Sequence, residues 1–190
     1  MKLRFATPED AVGIHAIYAP IVANLPISFE EEPPSIEEIA ARIVQLSPGY
    51  PWLVAAEDDG AIRGYAYASQ HRTRAAYRWS VDVSVYVDDR QQRQGLGRML
   101  YTALLQLLKD QGYRQAFAGI ALPNEASVGL HEALGFVLVG VYRQVGWKLG
   151  AWHDVGWWQR DQGLPPGEPA EPRALHELDP AEIRAALGSA

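Results

Sequence analysis

The chain has 190 residues, of which 48% are hydrophobic and 21% charged, with a net charge of −6 and no cysteine. That length and balance fit one domain with a sizeable core, and the acidic charge leaves no basic excess to neutralise nucleic-acid phosphates. Without cysteine there are no disulfides, no thiolate metal ligands and no cysteine nucleophile.

Met1-Lys2-Leu3-Arg4-Phe5 is too short and too charged for a secretory leader. No apolar run nears the roughly 20 residues of a membrane span, so the expected location is cytoplasmic. Leu3 to Ala6 reads as a short strand. Thr7 then caps a helix with Pro8 at its first position and acids in the first turn. That helix runs to about Val22, with Val12, Ile14, Ile17, Tyr18 and Ile21 as its apolar side. Pro26 to Pro34 is a loop around Ile27, Ser28 and Phe29. Ser35 caps a second helix, and Glu38 completes a capping box. Trp52–Glu57 and Ile62–Gln70 are strands joined by the turn Asp58-Asp59-Gly60.

The clearest strand comes next. Val81, Val83, Val85 and Val87 alternate with Asp82, Ser84, Tyr86 and Asp88. Period two puts Asp82, Ser84 and Tyr86 together on the face opposite the valines. A glycine-bearing basic loop, Arg90 to Arg98, follows. Leu96, Met99, Leu100, Ala103, Leu104, Leu107 and Leu108 then mark an amphipathic helix that Gly112 stops. Gln115–Ile120 is a strand. Asn124 starts a helix that Gly135 ends, and strands at about Val137–Val145 and Asp154–Arg160 close the domain at residue 164. Pro165, Gly167, Pro169 and Pro172 make residues 165–190 read as a linker and tail, in which Asp179-Pro180 caps a short helix to Leu187. This order predicts an α+β fold with a mixed central sheet flanked by helices.

A strand that delivers a glycine loop to a helix start is an anion site, because first-turn N–H groups lack intrahelical partners and the helix dipole favours negative charge. The dinucleotide fingerprint fails, since Leu100 stands where its third glycine belongs, and the lysine and hydroxyl of a P-loop are missing. His15, His71 and His176 show no partner spacing, and no metal is expected.

Gln92-x-x-Gly95-x-Gly97 instead resembles the pyrophosphate loop of the GNAT acetyltransferases. Tyr50-Pro51-Trp52-Leu53-Val54, Val85-Tyr86-Val87, Leu122-Pro123-Asn124, Leu130-His131-Glu132-Ala133-Leu134-Gly135-Phe136 and Gly150 to Gly156 are similar to the phosphinothricin N-acetyltransferase branch. The resemblance covers roughly residues 3 to 164. It implies two splayed central strands and acetyl-CoA as cosubstrate. The backbone of Val85, Tyr86 and Val87 would bond the pantetheine arm. Arg93, Gln94, Gly95, Leu96, Gly97 and Arg98 would hold the phosphates, with Asn124 and Ser127 at the next helix start completing the cofactor site. For Arg93 and Arg98 a solvated surface role stays open.

The chemistry then needs a proton acceptor. An amine acceptor arrives as an ammonium with a pKa near that of lysine, about 10, and must lose a proton before attacking a thioester. Asp82 faces the expected cleft, directly or through water, although the family usually carries glutamate there. His131 falls where relatives place a group that protonates the leaving thiolate. A role in capping or packing its own helix stays open. By resemblance, Phe29, Arg74 and Tyr77 line the acceptor pocket. Trp147, Lys148, Trp152 and His153 belong to a hairpin like the one with which a homodimer partner walls that pocket. The expected function is acetyl transfer to a small amino-acid-like acceptor. A protein N-terminal or lysine acetyltransferase and a non-catalytic acyl-CoA sensor are the alternatives.

Overall fold

The structure, a computed structural model, describes residues 1–91 and 94–188. Its strands are β1 (Lys2–Phe5), β2 (Trp52–Ala56), β3 (Ile62–Gln70), β4 (Ser80–Val87), β5 (Gln115–Leu122), β6 (Val137–Lys148) and β7 (Ala151–Asp161). Its helices are α1 (Ala11–Asn24), α2 (Ile36–Leu46), α3 (Leu96–Gln111), α4 (Glu125–Ala133) and α5 (Pro180–Leu187). The strands form one sheet in the order β1-β2-β3-β4-β5-β7-β6. Every neighbouring pair is antiparallel except β4 and β5.

Two cores sandwich the first half of this sheet. On one side Leu53, Ala55, Ala66, Val81 and Val83 pack with Leu100, Leu104 and Leu108 of α3. On the other, Trp52, Val54 and Tyr65 pack with Ile14, Tyr18 and Val22 of α1 and Ile39 and Ile43 of α2. All five residues of β2 are therefore buried, as expected for a strand covered on both faces. In β4 the alternation holds. Val81 and Val83 enter the α3 core, while the Tyr86 ring lies on the α1 side, 5.0 Å from Tyr18 and 5.2 Å from Tyr65.

Ser35 caps α2 in the expected box. The Glu38 amide donates to Ser35 Oγ at 3.2 Å, and the Ser35 amide donates to Glu38 Oε2 at 2.6 Å. The start of α1 differs. Pro8–Asp10 is a 3-10 turn, and Asp10 is held by a two-bonded fork from Arg4 at 2.6 and 2.7 Å. Val12, expected on the apolar side, is 61% exposed. The other four residues expected there, Ile14, Ile17, Tyr18 and Ile21, are buried, and Ala11 and Val22 join them in the same stripe. β6 and β7 also run beyond their expected limits, because each continues the other's ladder from Trp147 opposite Trp152 to Lys148 opposite Ala151.

The segment after Leu164 lies against the domain. Gln111 of α3 donates to the Gly49 and Arg173 carbonyls at 2.9 and 2.8 Å, Arg78 pairs with Glu171 at 2.7 Å, and Leu178 is buried in the α3 core. Composition reads these prolines as a linker, but their neighbours supply both apolar contacts and hydrogen bonds to the body.

Candidate active site

β4 pairs with β3 along most of its length, from Val81 opposite Gln70 to Val87 opposite Gly64. On its other edge the ladder is short. Only Ser80, Val81 and Asp82 pair with Gln115, Ala116 and Phe117 of β5. Beyond Asp82 the two strands part, so the backbone groups of Val83 to Val87 that turn toward β5 have no strand partner there. Buried N–H and C=O groups require partners. This seam is shaped for an extended ligand with amide groups of its own.

The far end of the seam leads to α3. Gly95 is its N-cap, in the left-handed conformation at φ +81° and with no side-chain cap. A Cβ would strain that conformation. The first-turn amides of Leu96, Gly97 and Arg98 are the free donors of a 16-residue helix, a setting suited to phosphate. A Cβ on Gly97 would lie 3.3 Å from Leu130 of α4 and 3.7 Å from Val87 of β4, so small size at this position lets the three elements meet. Arg98 is exposed and makes no ion pair among the described residues. Gln94 is exposed too, its Nε2 3.4 Å from the Arg90 carbonyl. Gln92 and Arg93 lie outside the described residues. At the start of α4, Asn124 Oδ1 accepts from the Ser127 amide at 3.1 Å, the cap expected of an asparagine. These features fit a CoA-type ligand: strand-like backbone for an amide arm, then helix amides and an arginine for its diphosphate.

Asp82 is the last residue of β4 in register with β5, and so marks the point where the strands part. Its Oδ1 lies 2.6 Å from Nδ1 of His71, just beyond the end of β3. The His71 ring stacks on Phe117 at 4.2 Å and 12°, and meets the edges of Tyr77 at 6.1 Å and Trp157 at 6.2 Å. Arg72 lies over Trp157, 5.7 Å from the ring centre. Burial pushes the Asp82 carboxyl above the ordinary carboxylate range, opposed by the hydrogen bond and charge of His71 and by the charge of Arg72. Among the described residues no group of three or more His, Asp or Glu side chains is placed to hold a metal ion.

A family profile for the acetyltransferase (GNAT) domain matches residues 3–157. A phosphinothricin N-acetyltransferase of Streptomyces viridochromogenes is 43% identical over 90% of this chain and 94% of its own length. An L-methionine sulfoximine/L-methionine sulfone acetyltransferase of Pseudomonas aeruginosa is 38% identical over 83% of this chain and 92% of its own. Among solved structures, a GNAT superfamily phosphinothricin acetyltransferase from Sinorhizobium meliloti in complex with acetyl-CoA superposes with a TM-score of 0.85. It is 37% identical and covers 94% of this chain and 95% of its own. The chain belongs to the GNAT acetyltransferases.

In this GNAT protein the residues expected around the acceptor fall into two groups. Tyr77 is beside the His71–Asp82 pair, and Arg74 is exposed on the same loop, where its carbonyl accepts from the Tyr77 amide at 2.9 Å. Phe29 is elsewhere, on the loop before α2. It packs over Gly146, where a Cβ would collide with its ring, and lies 6.4 Å from His153. Trp147 is 55% exposed and meets Trp152 edge-on at 5.4 Å. Among the described residues no ring contact or hydrogen bond links this second group to Asp82.

The geometry departs from the sequence expectation at three residues. Lys148 is only 6% exposed, and its Nζ donates to the Ser28 carbonyl at 2.6 Å. Its ammonium therefore staples the Phe29 loop to β6, and burial lowers its pKa. His131 is 3% exposed. Its Nδ1 lies 2.7 Å from the Ser127 carbonyl, which can only accept, so Nδ1 is the donor. Nε2 then accepts from the Tyr101 hydroxyl at 3.1 Å. Burial lowers the ring's pKa, partly offset by the Ser127 bond. Both nitrogens are thus engaged inside the α3 core, between the rings of Tyr101 and Phe136. In this arrangement the one proton of the neutral ring is directed at the Ser127 carbonyl. Finally, His71 has a partner after all. The signal for it was the antiparallel register: Ser69 stands opposite Asp82, and residue 71 lies two places on, on the same face.

Proposed function

We propose that this protein transfers the acetyl group of acetyl-CoA to the α-amino group of a small amino-acid-like acceptor, of the phosphinothricin or methionine sulfoximine kind. One observation carries the reading. The β4–β5 seam joins a helix start suited to phosphate to a carboxylate–imidazole pair, in a chain 38–43% identical to acetyltransferases named for those acceptors.

In this reading the seam backbone of Val85, Tyr86 and Val87 bonds the pantetheine arm, and an N–H of that strand polarises the thioester carbonyl. The amides of Leu96 and Gly97, with Gln94, Arg98 and the undescribed Arg93, hold the diphosphate. Asn124 and Ser127 line the arm from α4. Asp82 is the anionic centre on which removal of the amine's proton depends. Arg74, exposed and unpaired among the described residues, receives the acceptor's carboxylate, for which its planar fork is suited. Tyr77 and Phe29 supply apolar walls. His131 serves as the pin that fixes α4 to α3 rather than as a proton donor. Two copies meet over β6 and β7, where Val137, Val139, Trp147 and Trp152 are exposed. Such a patch favours association. The working compartment is the cytoplasm, where acetyl-CoA is available; no helix among the described residues is long and apolar enough to cross a membrane.

The test is acetyl-CoA-dependent thiol release with a panel of free amino acids, phosphinothricin, methionine sulfoximine and short peptides. Release with the small amino acids and not with peptides is expected. Release with peptides alone would replace this reading with a protein acetyltransferase. Tight coenzyme A binding without release on any acceptor would replace it with a sensor.

A further inference from the structure

Resting on that reading, we propose that the group which removes the proton from the incoming amine is His71, acting through Nε2, with Asp82 as the residue that orients and balances it. The seam needs a proton acceptor where β4 and β5 part, and Asp82 stands there with its Oδ1 committed to His71 Nδ1 at 2.6 Å. When the pair is a carboxylate and a neutral imidazole, Nδ1 carries the hydrogen and donates it to Asp82. The lone pair then belongs to Nε2. Among the described residues no group hydrogen-bonds Nε2, and this nitrogen is not among the buried polar atoms left without a partner. Nε2 is therefore reached by solvent, and its lone pair has no partner among the described residues.

The ring is held as a working base must be. Phe117 fixes its plane from one face at 4.2 Å, and Tyr77 and Trp157 approach it edge-on. The carboxylate fixes the ring's rotation through Nδ1. Arg72, over Trp157, is the nearby cation that helps keep Asp82 ionised. Tyr77 and Tyr67 also lie near the pair. By contrast, Tyr101, His131 and α4 lie on the other side of the sheet, in the α3 core.

The step balances as follows. An N–H bond of the acceptor's ammonium breaks and an Nε2–H bond forms, giving an imidazolium whose charge is matched by Asp82. The freed lone pair of the amine forms the N–C bond to the acetyl carbonyl carbon. The C–S bond breaks, and its electron pair leaves with the sulfur. The nitrogen's second surplus proton neutralises the sulfur, and His71 returns the first to solvent. No oxidant, reductant or metal enters.

The test is His71→Asn. The asparagine amide keeps a donor near Nδ1 for Asp82 but removes the basic nitrogen. Coenzyme A affinity by calorimetry and the melting temperature should stay close to wild type. At pH 7, kcat/KM for the amino acid should fall at least about 100-fold, the usual scale of general base catalysis. That deficit should shrink toward pH 10, as solvent deprotonates the amine instead. A loss smaller than threefold at pH 7, or a loss of equal size at every pH, would overturn the proposal. Nitrogen-15 NMR of the wild type tests it without a variant. The expected tautomer of the neutral ring carries its hydrogen on Nδ1 with Nε2 bare, whereas a hydrogen resident on Nε2 would overturn the proposal. A wild type inert toward every amino acid would sink the functional reading, and the NMR result would still decide whether the dyad holds a free lone pair.

Discussion

Two histidines flank the seam and differ in almost everything that matters for proton transfer. His71, at the end of β3 on the α1 side, is paired through one nitrogen to a carboxylate, and among the described residues nothing hydrogen-bonds the other. His131, in α4 on the α3 side, spends both nitrogens on a backbone carbonyl and a tyrosine hydroxyl inside the core. The residue type is the same. One environment preserves an exchangeable lone pair beside a negative charge, and the other uses the same ring as a neutral strut. An imidazole's chemistry is therefore set by which nitrogen has a partner and what that partner can accept, and sequence spacing reports neither.

The comparison can be broken most sharply at Asp82. Asp82→Asn keeps an acceptor oxygen for His71 but removes the charge that would balance an imidazolium. Turnover should fall about 100-fold, with acetyl-CoA affinity within twofold. Steady-state kinetics with calorimetry would measure this, and unchanged turnover would remove Asp82 from the chemistry. On the other side, His131→Asn retains a donor for Ser127 but strands the buried Tyr101 hydroxyl. The expected cost is about 1–3 kcal/mol of stability, read by urea unfolding, with kcat within about tenfold of wild type. A 100-fold loss of kcat at full folding would make His131 the proton donor and erase the distinction drawn above.

Acid pH gives a smaller effect of definite sign. Burial lowers the folded-state pKa of His131, whereas the unfolded chain protonates this ring at about 6.5. Below about 6.5 the unfolded state therefore binds a proton that the folded state refuses. The ring's contribution is complete above that value and is lost as pH falls toward the folded-state pKa. The slope cannot exceed about 1.4 kcal/mol per pH unit. Wild type should lose more stability than His131→Asn over that window in melting curves, and parallel curves would refute the assignment. The smallest expected change is Tyr101→Phe, which removes one donor to Nε2. It should cost about 1 kcal/mol and leave the pH dependence of turnover untouched, since Tyr101 is not connected to Asp82.

Much of this arrangement is legible in the residues themselves. The valine ladder of β4 states which face Asp82 occupies, because strand geometry alternates without reference to the rest of the chain. Ser35 and Glu38 announce a helix start through bonds only three residues long. Gly95 before a leucine-rich helix marks a phosphate-type turn for an equally local reason. Val12 is misread because it sits at the edge of the buried stripe, and only packing of α1 against the sheet and α2 shows that this edge is left outside. Lys148 looks like a pocket cation until the Phe29 loop, about 120 residues away in sequence, is seen to place a carbonyl over it. The prolines after Leu164 look like a linker because their composition is polar and stiff. Their attachment rests on Gln111, Arg78 and Trp79, remote positions that a tail sequence cannot name.

By itself, then, the sequence settled the alternating face of β4, the caps, the glycine turn and the family to which their spacing points, all consequences of covalent geometry and contacts within a few residues. Tertiary structure alone decided where β4 leaves β5, which of two histidines keeps an open nitrogen, and that Lys148 holds a loop. Those outcomes depend on partners brought from distant parts of the chain, and a side chain's proton affinity and reach follow from the groups that surround it.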